Sequence, residues 1–130
     1  MRKIGVYGSL RAGMHNHDLL NNSQLVETKI VSVPFKMVSF GNYPALIPDE
    51  NRNHDVVFEI YDVNDDVYRN IEMLEGYPDF YQKALQTDGK DEFGVFQIFE
   101  YYFVPDVEKY YQSRFEDEEH IQDWVEYMKS

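Results

Sequence analysis

A β-rich α+β fold is what this sequence predicts: a small, mostly antiparallel β-barrel, closed or partly closed, with a few flanking helices. Two observations carry the prediction. Five or six short runs read as strands, and residues 56–63 and 95–104 in particular alternate and are rich in β-branched and aromatic side chains, which suit a pleated surface. Against them stand few helical stretches, and the strands are joined by long connections of antiparallel character.

The elements follow in order. Residues 3–7 form a first apolar strand that runs straight into the turn Gly8-Ser9, and residues 17–20 form a short helix. Strands are expected near 25–33, 36–40 and 56–63, with Gly41-Asn42-Tyr43-Pro44 punctuating them as a turn. Residues 65–74 read as a helix, because Val67, Ile71 and Leu74 recur at spacings of four and three and Asn64 or Asp65 is a suitable cap. Gly76, with Pro78 just beyond, ends it. Strands at 81–87 and 95–104 flank the polar turn Asp88-Gly89-Lys90-Asp91. A last helix over 118–128 would place Ile121, Trp124, Val125 and Met128 on one face. No repeat, low-complexity tract or linker interrupts the chain.

Composition bounds the function. The 130 residues suffice for one domain, 1–130, that buries a core without staples. With no cysteine, disulfides, thiolate chemistry and cysteine-ligated metals are excluded. The apolar run after Met1-Arg2-Lys3 is broken by Gly5 and Gly8 and is too short for a signal-peptide core, and no membrane-length segment follows. A cytoplasmic protein with no membrane partner is therefore expected. Charge is uneven: residues 1–50 carry five Lys/Arg against four Asp/Glu, whereas 51–130 carry seven against twenty. That balance disfavours nucleic acid, which needs a basic footprint. The acid run Glu116-Asp117-Glu118-Glu119 reads as a solvated helix start, with a docking surface or a DNA-mimicking role as the alternative. Most of the eleven Tyr and nine Phe belong to the core or a sheet face, and a minority of the Tyr suit a pocket wall with the hydroxyl free to hydrogen-bond.

Several chemistries can be set aside. Gly8 and Gly13 have the glycine spacing of a phosphate loop, but Met14 and His15 stand where Lys and Ser/Thr are required. Ser9 lacks the second glycine of a nucleophile elbow because Arg11 occupies that place, so a backbone-turn role is the better reading. His15 and His17 have no second ligand cluster, while His54 and His120 lie in polar surroundings; no metal is expected. Tyr7-Gly8-Ser9-Leu10 remains as an anion or oxyanion seat, since backbone N–H groups can face a ligand where Gly8 has no Cβ. Glu75 remains as well. At a helix end a carboxylate is ordinarily solvated, but the aromatic setting of Tyr77, Phe80 and Tyr81 would instead raise its pKa towards neutrality, as a general base requires.

Taken together, Val6-Tyr7-Gly8-Ser9-Leu10 with Asn16 and Leu19, then Gly41-Asn42-Tyr43-Pro44-Ala45, then Leu74-Glu75-Gly76-Tyr77-Pro78 and Tyr81, resemble the γ-glutamylcyclotransferase-like family of small β-barrel proteins. The resemblance runs in order from residue 3 to about 104. It implies an enzyme that releases 5-oxoproline and a free amine from a small γ-glutamyl substrate without a cofactor. It also implies that Tyr7, Gly8, Ser9 and Leu10 bind the substrate, that Tyr81 borders the same cavity and that Glu75 is the acid/base. A monomer or weak homodimer is expected. The alternatives are a binding module without turnover and an acidic protein-interaction module on the same fold. Three departures bear on the substrate: Phe58 replaces the Gly of a Gly-Glu-Leu-Tyr strand and is expected to reshape the cavity, Lys83 stands for an Arg, and Gln122-Asp123-Trp124 only partly matches Gly-Asp-Trp.

Overall fold

The computed structural model describes residues 2–90, 96–105 and 118–130. Seven strands are present among them: β1 Arg2–Val6, β2 Gln24–Val33, β3 Phe35–Ser39, β4 Pro44–Pro48, β5 His54–Val63, β6 Gln82–Lys90 and β7 Phe96–Phe103. A 3-10 turn occupies His17–Leu20, helix α1 spans Asp65–Glu75, and helix α2 spans Trp124–Lys129. The mixed α+β class is thus the one expected.

The ladders do not close into a barrel among the described residues. Five strands form a sheet in the order β2-β5-β1-β7-β6, and β3 and β4 form a separate two-stranded sheet. The β1–β7 pair is parallel and the other pairs are antiparallel. Instead of closing, the sheet is covered on both faces. Ile4, Val6, Val63 and Tyr102 pack with Val67, Tyr68 and Ile71 of α1 in one core, while Val33, Phe58, Ile60, Phe99 and Tyr101 pack with Trp124 in the other. The β3–β4 hairpin serves both, giving Val38, Ala45 and Ile47 to the first and Met37 and Leu46 to the second.

Three local outcomes differ from the sequence expectations. Strand β4 was hidden by its bounding prolines, which are tolerated because they sit at the ends of a two-stranded ladder, opposite Ser39 and Phe35. The segment expected to turn at 88–91 continues β6 as far as Lys90, and Asp91 lies outside the described residues. The last helix starts at Trp124 rather than 118, because the preceding backbone is spent on the sheets. The Ile121 N–H donates to Met37 O, and the Val57 N–H donates to Gln122 O. The Asp123 side chain then caps α2 by accepting from the Glu126 N–H. Glu116 and Asp117 lie outside the described residues.

Candidate active site

Helix α1 determines where Glu75 points. Its N-cap is Asn64, whose Oδ1 accepts from the Val67 N–H at 2.8 Å, and it ends at Gly76 in the left-handed region at φ +65°. Val67, Ile71 and Glu75 recur every four residues, so Glu75 prolongs the buried stripe toward the sheet. Leu74, expected on that stripe, is 43% exposed. The carboxylate therefore faces a cavity of about 330 Å³ lined by Tyr7, Gly8, Ser9, Leu10, Tyr81 and Glu75 itself. All six residues singled out from the sequence meet there. A cavity this size is within the usual range for small-molecule sites, roughly 300–1,000 Å³.

The electrostatics of Glu75 follow from this placement. Its carboxylate has no hydrogen bond or ion pair with any described residue. Burial pushes its pKa from 4.5 up to about 7. The negative end of the helix dipole disfavours the anion in the same direction.

The tyrosines around it are orientated by their protons. Tyr7 Oη donates to Tyr102 O at 2.6 Å, and Tyr81 Oη donates to Pro44 O at 2.8 Å. With those protons spent on main-chain carbonyls, both phenolic oxygens are left as acceptors. Burial and the nearby Glu75 charge raise the pKa of Tyr7; burial, Tyr7 and Glu75 do the same for Tyr81. The cavity is thus lined by acceptors, Glu75 and the two tyrosines, together with the main-chain turn.

That turn is folded by bonds to its carbonyls. The Arg11 N–H donates to Gly8 O, the Asn16 N–H donates to Ser9 O, and Asn16 Nδ2 donates to Ser9 Oγ at 2.9 Å. Ser9 is therefore a turn residue held by Asn16. The structure changes the reason for glycine at position 8: a Cβ there would stand 2.5 Å from Pro44 Cγ, so Pro44, rather than an approaching ligand, excludes the side chain. Phe58 lies behind Tyr7, edge to face at 5.8 Å, instead of on the cavity wall. It packs 5.3 Å from Phe99. Gly5 makes room for that pair, since a Cβ there would stand 2.5 Å from Phe99.

Other lining residues escaped the sequence reading. Tyr102 lines the cavity and its hydroxyl is buried with no partner among the described residues. His15, Tyr43 and Pro44 also line it, as does Phe80, which the sequence placed in the aromatic setting of Glu75. Asn16 and the Gly41-to-Ala45 segment had been marked only as parts of motifs. Nothing in local spacing brings Tyr102 to Glu75; the β1–β7 pairing does. The histidines divide: His15 is exposed, but His54 is buried, bonded to Asp49 at 2.8 Å, with its ring 4.6 Å from that of His120 and tilted by 34°. No cluster of three metal-ligating side chains exists among the described residues. No helix there is long and apolar enough to cross a membrane.

Known proteins resemble this chain in sequence and in fold. The family model for γ-glutamyl cyclotransferase, AIG2-like proteins matches residues 4–126. The γ-glutamylaminecyclotransferase of Rattus norvegicus is 34% identical over 95 residues, covering 67% of this chain and 64% of that protein. A protein of Methanocaldococcus jannaschii named for γ-glutamylcyclotransferase, MJ1514, is 33% identical over 84 residues, covering 64% of this chain and 68% of its own length. The crystal structure of an AIG2-like protein from Mus musculus superposes with a TM-score of 0.73 at 21% identity, covering 95% of this chain and 88% of that one, which shows a common fold.

Proposed function

This chain belongs to the γ-glutamyl cyclotransferase, AIG2-like family of enzymes, and on that premise we propose that it releases 5-oxoproline and a free amine from a γ-glutamyl amide, with Glu75 moving the protons. The observation that carries the reading is a carboxylate with no partner among the described residues, its pKa pushed up to about 7, in the same cavity as the Tyr7-to-Leu10 turn.

The substrate contains its own nucleophile. Its α-ammonium suits the acceptor group of Glu75, Tyr7 Oη and Tyr81 Oη, while its α-carboxylate suits the backbone N–H groups of Ser9 and Leu10. Held in that fold, the chain has its α-nitrogen next to the γ-carbonyl carbon. The entropy cost of ring closure is then met on binding, which can lower the barrier by several kcal/mol, about 7 at the low end for well-orientated reactants. Glu75 accepts a proton from the ammonium. The freed amine forms a bond to the γ-carbonyl carbon, Glu75 returns the first proton to the leaving nitrogen as the bond from that carbon to it breaks, and the second proton, shed by the ring nitrogen, passes through Glu75 to the departing amine or to water. A pKa of about 7 suits both halves of this exchange near neutral pH.

Incubation of the protein with γ-glutamyl-n-butylamide, γ-glutamyl amino acids and γ-glutamyl-lysine isopeptide, with 5-oxoproline as the readout, tests the reading. Release that is lost in Glu75→Gln supports it. Intact ligand bound without product would refute it in favour of a binding module.

A further inference from the structure

Arg11 follows the substrate turn directly, and from its position it would pass for the cation that receives a substrate carboxylate. The structure commits it elsewhere. Arg11 is buried at 7% exposure, its Nε donates to Glu59 Oε2 at 2.8 Å, and its Nη1 donates to Asp123 Oδ1 at 2.7 Å. Glu59 is also buried, and its second oxygen accepts from the Ala12 N–H at 2.9 Å and from Tyr61 Oη at 2.8 Å. Two carboxylates, one from β5 and one from the cap of α2, thus hold the outer half of the turn from outside.

We infer that Asp123 is a positioning residue for the substrate turn: through Arg11 it fixes the backbone of residues 8–12, so that the C-terminal helix sets substrate affinity without touching substrate. The inference rests on the cyclotransferase reading for its kinetic part only. Three features support it. Apart from Ala12 N–H to Glu59, the other described hydrogen bonds of residues 8–12 are internal or reach only as far as His17, whose Nδ1 meets Leu10 O at 2.9 Å. The Arg11 guanidinium is spent on two carboxylates at close range; Arg11 and Glu59 are shielded from water, where charge-assisted bonds keep their strength, and Asp123 is partly shielded. Asp123 is itself anchored, because the segment before it is bonded to β3 and β5 and Trp124 after it is fully buried.

Asp123→Asn separates this role from helix capping, since Asn caps as well as Asp but removes the charge facing Arg11. Hydrogen–deuterium exchange should show peptides covering residues 8–16 exchanging about tenfold faster, with the β5 and α1 peptides unchanged. The KM for γ-glutamyl-n-butylamide should rise about tenfold while kcat and the pH profile of kcat stay within about twofold. Arg11→Lys, which keeps the charge and loses the fork, should reproduce the effect more weakly. Unchanged exchange in 8–16 overturns the inference, as does faster exchange with an unchanged KM, or an equal loss of protection throughout the chain, which would mark a general structural role. If the unaltered protein turns over no γ-glutamyl compound, the cyclotransferase reading fails, and the exchange result still decides whether Asp123 holds the turn.

Discussion

Replacing Glu75 with Gln removes a proton carrier and, by the same physics, a source of instability. In the folded protein the carboxyl ionises at about 7, against 4.5 for an unperturbed Glu. The folded state therefore holds its proton over a range in which the unfolded chain has lost it, so the contribution of Glu75 to stability falls as pH rises from about 4.5 to 7. At about 1.4 kcal/mol per pH unit, the cost of the anion above pH 7 comes to about 3 kcal/mol. Gln is nearly isosteric and cannot ionise. Urea unfolding should find Glu75→Gln more stable than the natural protein by up to about 3 kcal/mol at pH 8, with the gain vanishing near pH 4. In the same protein, 5-oxoproline release should fall by about 10²–10⁴-fold, the usual range for losing a general acid/base. The natural enzyme's kcat/KM should have a limb near pH 7 that the variant lacks. Equal stability of the two proteins at pH 8, or activity retained by the variant, would refute the account of a desolvated carboxylate at the reacting centre.

Further substitutions probe the surrounding structure. Gly8→Ala puts a methyl group 2.5 Å from Pro44 Cγ and should lower unfolding free energy by about 1–3 kcal/mol, as overpacking does; an unchanged denaturation midpoint would refute the contact. Tyr102→Phe deletes a hydroxyl that is buried without a partner, so the variant should be as stable as the natural protein or more so by about 1 kcal/mol, and a loss of stability would show that the hydroxyl is bonded. His120 accepts from the Met37 N–H through Nδ1 and meets Asp55 O through Nε2, an arrangement that requires the neutral ring. Burial, outweighing the opposing pull of Asp55 and aided by His54 and Lys36, lowers its pKa below 6.5. Its contribution is therefore complete above about pH 6.5 and lost as pH falls through the lowered folded-state value. Unfolding of His120→Asn should be less stable at pH 8 and depend less on pH between 7 and 5; an identical slope would refute that role.

Much of the fold was legible locally, and the exceptions share a cause. The α1 boundaries follow from Asn64 and Gly76, whose side-chain acceptor and left-handed backbone act within a few residues. Strands β5 and β7 follow from their apolar and aromatic runs. Strand β4 did not, because Pro44 and Pro48 signal breaks, and only the pairing with β3 makes those end positions harmless. The start of α2 could not be read either, since the bonds that keep 120–122 extended come from Met37 and Val57, far away in the chain.

Local pattern was enough for the class of fold, the helix stopped by Gly76 and the turn from Tyr7 to Leu10, because propensity, capping and turn chemistry are set by neighbours along the chain. Tertiary structure decided what those pieces do. It set Glu75, half-buried, in the cavity wall with no hydrogen-bond partner among the described residues, gave the Tyr7 and Tyr81 hydroxyl protons to main-chain carbonyls, and spent Arg11 on Glu59 and Asp123. Each of these depends on which groups long-range packing brings within hydrogen-bonding distance and which it shuts off from water, and no local pattern encodes that.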